Sequence, residues 1–508
     1  FAGTTVAPGN IDRVVGVVTA AGELGGGVGS PAAQLQLGTP NAVAVGVAGT
    51  IVVADQRRAI MVNGTGATVT AYGRTALATR TAEIYDASRR TGLPLAVPTA
   101  VHSRGPDEVF FADRSTVRVM NLDRSGEVYG GASAEAGGVA VIGGGAVPGF
   151  AGDGGSARAA AFDSPAALAT DGALLLYVAD TDNDRVRVIN IGDPNLTPAL
   201  QAFGVSVFPG FVDTVVGGGP GGLVDDGDLL APRSANLDSP PGLAVFGGLL
   251  FVADTGHHRV RCVNPGPDDV TVAGVVVPKG TIRTIYGTGT PGVAPEGPGP
   301  WATNLPTALA IDGRGILYVA EAGNHRIRAV NLALTDPARA GVVLAGVEVK
   351  PDQMATLVGN GTEGNFGDGG GGPDAHIDNP VSLLVQTLAD GTPVALYFAD
   401  ADQNVVRVLN LIETDLIGAI DGERRPAVTI PGGGIVSIAG GPNAIGIPNA
   451  PAFAGDGEIA ADVRFSAPYG IAITNSNSLP AHFFVADRDN NRLRRFLAPP
   501  LVNPATGN

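Results

Sequence analysis

A fifteen-residue phrase returns along this chain, and no other feature restricts the fold as much. Leu176–Asn190 reads L-Y-V-A-D-T-D-N-D-R-V-R-V-I-N, with copies at 250–264, 317–331, 396–410 and 483–497. Shorter relatives at 51–63 and 109–121 bring the number to seven. Each copy is a run rich in β-branched and aromatic residues, then a polar turn, then a second alternating run. That is the pattern of a β-hairpin. A recurring unit takes precedence over any division by length, because such units bury their faces against their neighbours.

Further strands flank each hairpin. A small apolar run precedes most of them and opens on proline, at Pro40, Pro165, Pro240, Pro306, Pro380 and Pro468. Proline suits a strand's first position because it has no N–H to leave unpaired. The second unit departs from this: no proline directly precedes its inner strand. Within it, 74–94 reads as a helical or irregular insertion, with a short helix over 80–90. A fourth strand ending in glycine follows at 212–217, 282–287, 354–359 and 435–440. Four antiparallel strands per unit, repeated radially, make a β-propeller, which hides its sheet edges.

The expected fold is therefore all-β, a single propeller over 1–508 with seven four-stranded blades. The last hairpin is followed only by a tail at 498–508, with no outer strand, whereas 11–16 reads as one. So 1–16 is expected to complete the last blade and close the ring. Eight blades would need a further repeat hidden in 64–108 or 122–145, and six would make the second unit a decoration. Spread over seven units, 508 residues give about 73 each, against roughly 40–45 for a compact four-stranded blade. Part of the surplus repeats too, as apolar elements at 4–9, 203–210, 273–280, 344–351 and 426–433. These read as short ribbons on the face opposite the V-A-D turns, where they either pack on neighbouring blades or form a docking surface.

The combination V-A-D-T-G-x-H-R-[VI]-R after P-x-[GA]-[LI]-A-[VI] resembles the NHL-repeat β-propellers over nearly the whole chain. The spacers G-F-A-G-D-G-G at 149–155 and A-F-A-G-D-G at 452–457 are similar to those of bacterial, extracellular members. The resemblance implies the fold. It leaves the activity open, because propellers host binding, scaffolding and several chemistries.

Bulk properties narrow the partners. A net charge of −16 disfavours nucleic acid, whose phosphates need a basic face. No apolar stretch reaches the ~18–20 residues that a membrane-spanning helix needs. The single Cys262 has no partner for an internal disulfide. A chain starting at Phe1 reads as processed, so the expected location is secreted, periplasmic or at the cell surface.

The charged positions recur, which argues against a unique catalytic set. The V-A-D carboxylates are Asp55, Asp113, Asp180, Asp254, Glu321, Asp400 and Asp487. They are expected to accept hydrogen bonds from the turn that follows and to pair with the repeated arginines. Asp180, Asp182 and Asp184 alternate as calcium ligands do, without an EF-hand's glycine and distal glutamate. Calcium is thus the one cofactor these turns suggest. Asp153, Asp368 and Asp456, in the G-D-G spacers, and His258 and His325, in equivalent turns, are candidate binding residues on the loop face. No H-E-x-x-H, C-x-x-C or G-x-S-x-G occurs, and 5% aromatics provide no stacking platform. The expected function is a non-catalytic scaffold that presents loops and ribbons to other proteins, within a larger extracellular or envelope assembly. The alternative is a metal-dependent lyase or lactonase-like hydrolase with its site in the central channel.

Overall fold

The computed structural model describes 115–418, apart from 122–125, 136–137, 146, 172, 219–226, 300, 335–340 and 389–390. It also describes 428–440, 465–466 and the strands named below. Seven principal antiparallel sheets are present among these residues. In chain order the first strands of sheets I to VII are Pro40–Val45, Pro98–Arg104, Pro165–Thr170, Gly242–Phe246, Pro306–Ile311, Pro380–Thr387 and Pro468–Ile473. The V-A-D hairpin follows as second and third strands, for example Leu175–Asp180 with Arg185–Asn190 and Leu249–Asp254 with Arg259–Val263. An outer strand completes each sheet, such as Phe211–Val216, Ile282–Tyr286, Gln353–Val358 and Ile435–Ala439. In sheet VII the outer strand is Ile11–Val15, paired antiparallel with Arg492–Leu497.

The first strands lie side by side in chain order, and Pro468–Ile473 lies beside both Pro380–Thr387 and Pro40–Val45. The second strands of sheets III to VI are buried along their whole length. Their two faces feed successive apolar clusters: Tyr177 and Leu250 share one, and Phe251 and Leu317 another. This explains why the L-Y-V-A-D run is apolar at every position rather than alternating.

The second unit is not an exception. Arg74–Ala76 pairs with Val69–Ala71, and Ala82–Tyr85 is the outer strand of sheet I, paired with Arg58–Asn63. The expected helix is thus replaced by strand over these residues, because pairing in a sheet overrides the helix propensity of Ala, Arg and Glu. Pro98, overlooked in the sequence reading, opens the first strand of sheet II as proline does elsewhere. The segments that could have hidden an eighth repeat carry two-stranded ribbons, Val69–Ala71 with Arg74–Ala76 and Glu127–Tyr129 with Ala132–Ala134.

Among the described residues, six such ribbons lie between third and fourth strands. Three turn on Phe203-Gly204, Ala273-Gly274 and Ala345-Gly346, with both residues at positive φ, as a type I′ turn requires. The ribbon tips engage the next sheet. Ala273 N–H donates to Leu332 O at 3.1 Å and Ala345 N–H to Leu411 O at 2.9 Å. They pack on neighbours, as the first of the two ribbon readings has it.

Gly204 and Gly217 share almost the same backbone, φ 82° and 83°, but not the same surroundings. A Cβ on Gly204 would meet nothing within 4 Å, whereas one on Gly217 would stand 2.5 Å from Asp184 O. Gly204→Ala is expected to cost about 1 kcal/mol from backbone strain alone. Gly217→Ala adds a backbone collision and is expected to cost about 3 kcal/mol. Guanidinium unfolding of the two variants checks the difference.

Candidate functional site

In sheets III, IV and VI the V-A-D carboxylate ends a buried strand, and its backbone hydrogen bond comes from an unforeseen direction. Asp180 Oδ1 accepts Asp163 N–H at 2.7 Å, Asp254 Oδ1 accepts Asp238 N–H at 2.8 Å, and Asp400 Oδ1 accepts Asp378 N–H at 2.8 Å. The backbone donor is the loop entering the first strand, while the turn that follows contributes side chains, Asn183 at Asp180 and His257 at Asp254. D-S-P at 163–165 and 238–240 and D-N-P at 378–380 were the available signal. The turn is a single 3₁₀ turn in sheets III and V, which directs its own N–H groups away from the carboxylate.

Of the two arginines in R-V-R, the second is the partner. Arg187, Arg261, Arg328 and Arg407 are among the largest fully buried side chains. Arg261 lies between Asp254 Oδ2 at 3.2 Å and Asp228 Oδ1 at 2.7 Å. Arg187 meets Asp153 at 2.8 Å and stands 3.7 Å from Asp180 Oδ2, an ionic contact rather than a hydrogen bond. Arg407 donates to Asp368 at 2.7 Å, and Arg328 to Glu321 at 3.3 Å. Asp153 and Asp368, expected as binding residues, are therefore counter-ions of buried guanidiniums. Asp228 and Glu296 hold the corresponding loop positions in sheets IV and V, unmarked by a G-D-G spacer. Asp228 accepts Thr284 N–H at 2.8 Å, Glu296 accepts Thr356 N–H at 3.1 Å, and Asp368 accepts Ser437 N–H at 2.8 Å. Asp456 lies outside the described residues, as do the side chains of Asp55, Asp113 and Asp487.

Burial outweighs these partners at Asp180, whose carboxyl is pushed up to about 6 despite the Asp163 amide and Arg187. Asp400 is raised well above the carboxylate range for the same reason. Glu321, one methylene longer, instead reaches Tyr286 Oη at 2.5 Å and Asn324 Nδ2 at 2.9 Å.

The three carboxylates of D-T-D-N-D diverge. Asp180 takes the Asp163 amide, Asp182 takes the Ser164 hydroxyl, and Asp184 accepts Ser239 N–H at 2.8 Å. Among the described residues no three His, Cys, Asp or Glu side chains form a group able to hold a metal. His258 and His325 occupy the same left-handed turn position, φ 53° in both. His258 Nδ1 accepts Leu305 N–H at 3.2 Å, and His325 Nδ1 stands 3.1 Å from Asp378 Oδ1. They serve two different seams between sheets and do not approach one another as a pair.

The asparagine that closes the repeat phrase in sheets III to VI does comparable work on the opposite face. Asn190, Asn264, Asn331 and Asn410 donate through Nδ2 to ribbon carbonyls at Val207, Val277, Val349 and Ile430, at 2.8–3.2 Å. Their Oδ1 atoms accept an N–H two residues on. The signal for these residues in the sequence is their recurrence, as the last residue of six of the seven copies.

The fold and its latches define a protein built from repeated four-stranded sheets, and residues 237–263 match the family model described as NHL repeat. The matched stretch holds one copy of the phrase but for its last residue, and the other copies share its pattern. NHL repeat-containing protein 2 of Homo sapiens is 28% identical over 212 residues, 41% of this chain and 27% of the relative. The Gallus gallus protein of that name is 26% identical over 220 residues, again 41% and 27%. The match thus spans about a quarter of those relatives' length. Among solved structures, an auxiliary nutrient binding protein from Bacteroides thetaiotaomicron is 11% identical, with 96% of this chain and 76% of that one covered and a TM-score of 0.47. A putative 6-phosphogluconolactonase from Bacteroides uniformis is 13% identical, covering 90% and 89%, with a TM-score of 0.40. Likenesses of this size assign no activity.

Arg187→Met is expected to cost about 3–5 kcal/mol, the usual penalty for leaving a buried charge without its partner. The pH response of Asp180 has a definite sign. Its carboxyl sits near 6 in the fold against 3.8 for the free group, so the folded state binds the extra proton between those values. Asp180's contribution to stability therefore falls as pH rises through that window. Unfolding free energies of the native chain and Asp180→Asn, measured from acid to neutral pH, are expected to show their difference shrinking in the same direction.

Proposed function

We propose that this chain is a non-catalytic binding scaffold of the secreted or cell-envelope type. It is a seven-bladed propeller whose ring is closed by the N-terminal strand, and it engages other proteins through the loops of the V-A-D face. The observation that carries the reading is where the ionisable groups go. In sheets III to VI the first strands read P-A-A-L-A-T, G-L-A-V-F, P-T-A-L-A-I and P-V-S-L-L-V-Q-T, with no acid, histidine, lysine or arginine. The repeated carboxylates and arginines on the V-A-D side are occupied in latches between elements. Chemistry in the channel needs unlike, inward-facing groups; these four strands supply none, and the first strand of sheet II carries His102 and Arg104.

The same face offers apolar side chains to solvent. Phe150, Val293 and Phe366 stand two or three residues before the latch acids Asp153, Glu296 and Asp368, and are 46%, 53% and 67% exposed. The Arg185 guanidinium lies 3.5 Å over the Phe150 ring, which holds that ring at the surface. Binding spread over several loops fits such a rim better than one deep anchor. The outer edges of sheets III and V are poor docking sites, because incoming loops pair with them at Gly155–Ser156 and Gly297–Pro298.

Native protein isolated from its source under gentle cross-linking is expected to run as a defined complex. Phe150→Ser and Phe366→Ser are each expected to lower its yield about severalfold without abolishing it, as for one contact among many. A clean monomer, or a polar substitution in the channel that abolishes turnover of a lactone substrate, would overturn the scaffold reading. Removing 1–16 is expected to lower the cooperative unfolding midpoint, because it strips the paired edge from Arg492–Leu497. An unchanged midpoint would refute ring closure by that strand.

A further inference from the structure

The turn after each V-A-D carboxylate ends in a residue of left-handed backbone, Asp184, His258, His325 and Asn404 in sheets III to VI. Three of these reach the loop entering the next sheet, each with different chemistry. Asp184 supplies a carboxylate oxygen to Ser239 N–H, and His258 supplies Nδ1 to Leu305 N–H. His325 turns Nδ1 toward the Asp378 carboxylate. A ring nitrogen that accepts an amide hydrogen carries no proton of its own. Two histidines at one repeat position therefore meet different partners, an amide at His258 and a carboxylate at His325.

We infer that the seam between sheets IV and V on the V-A-D face is a proton-sensitive latch, closed while His258 is neutral and released at Leu305 when Nδ1 is protonated. Charged groups facing His258 come from its own turn and from the loop entering sheet IV. His257, adjacent in the turn, directs Nδ1 to Asp254 Oδ1 at 3.0 Å, an arrangement that raises its affinity for a proton. Asp238, on the entering loop, favours protonation of His258; burial and His257 oppose it, and the net direction is downward. Arg259, next along the strand, directs its guanidinium to Thr288 O and Thr284 Oγ1. The opposing segment, Thr303-Asn304-Leu305, has no ionisable side chain.

The sign follows from these contacts. With a folded-state affinity below the ordinary histidine value, His258 contributes stability that is present above that value and is lost as pH falls through the window beneath it. Release frees one end of the loop that carries Val293 and Leu305, both exposed apolar residues. Acid thus alters one arc of the V-A-D face while the carboxylate-held seam between sheets III and IV keeps its acceptor. The inference stands apart from the binding reading, since it concerns a single amide.

Hydrogen exchange at the Leu305 amide, followed by NMR on the full chain and corrected for intrinsic rates, tests it. From about pH 8 to about pH 5, a range that brackets histidine titration, protection of that amide is expected to fall about tenfold, the scale of one lost hydrogen bond. His258→Asn keeps an oxygen acceptor, suits left-handed backbone and is expected to show no such fall. Native protein with a flat profile, or His258→Asn with the same decline, would overturn the latch.

Discussion

A guanidinium removed from water must be surrounded by partners or the fold cannot hold it. In this chain one such group sits inside each of sheets III to VI, as Arg187, Arg261, Arg328 and Arg407. Two carboxylates oppose the Arg261 guanidinium, one from its own hairpin and one from the entering loop. Arg187 likewise faces Asp153 and Asp180, whereas Arg407 pairs with the loop acid Asp368 and Arg328 with the hairpin's own Glu321. The buried arginine thereby fixes the distance between loop, second strand and third strand. The loop acid also takes an outer-strand amide in sheets IV, V and VI, which blunts an edge that would otherwise be open to pairing with another chain.

The opposite end of each hairpin is tied by asparagine to a ribbon, and ribbon tips are tied to the next sheet. On the V-A-D face, Thr181 donates to Pro240 O at 3.0 Å and Thr255 to Pro306 O at 2.6 Å. Sheet V has alanine at that point, and Thr307 of its first strand donates to Pro380 O instead, at 3.0 Å. Every contact of this kind runs from one sheet to the following one. Repeated polar residues in such a body are joints, so their recurrence says little about chemistry and much about how neighbouring sheets are held.

The hairpins, the outer strands and the proline entries were legible because each rests on a local pattern: apolar runs, turns and a residue without an N–H. The assignment of partners was not. Asp180 and the Asp163 amide are seventeen residues apart in sequence, and nothing local distinguishes Arg185 from Arg187. Their strand alternation places the two arginines on the same face, and only the depth of the sheet decides which is buried. The G-D-G spacer identified Asp153 and Asp368 but hid Asp228 and Glu296, whose flanking residues differ while their geometry agrees. The helix expected over 80–90 misled at Ala82–Tyr85, because alanine and glutamate suit a helix, and the outer-strand slot of sheet I outweighs that preference.

The account stands or falls on the buried arginine as the common joint of three elements. A double-mutant cycle on Asp228→Asn and Arg261→Met, read by equilibrium unfolding, tests it most directly. The loop acid and the buried base are predicted to be coupled by about 2 kcal/mol or more, as expected of neighbours in one ionic network. Additive effects of the two substitutions would contradict the claim and reduce the contact to an incidental neighbour.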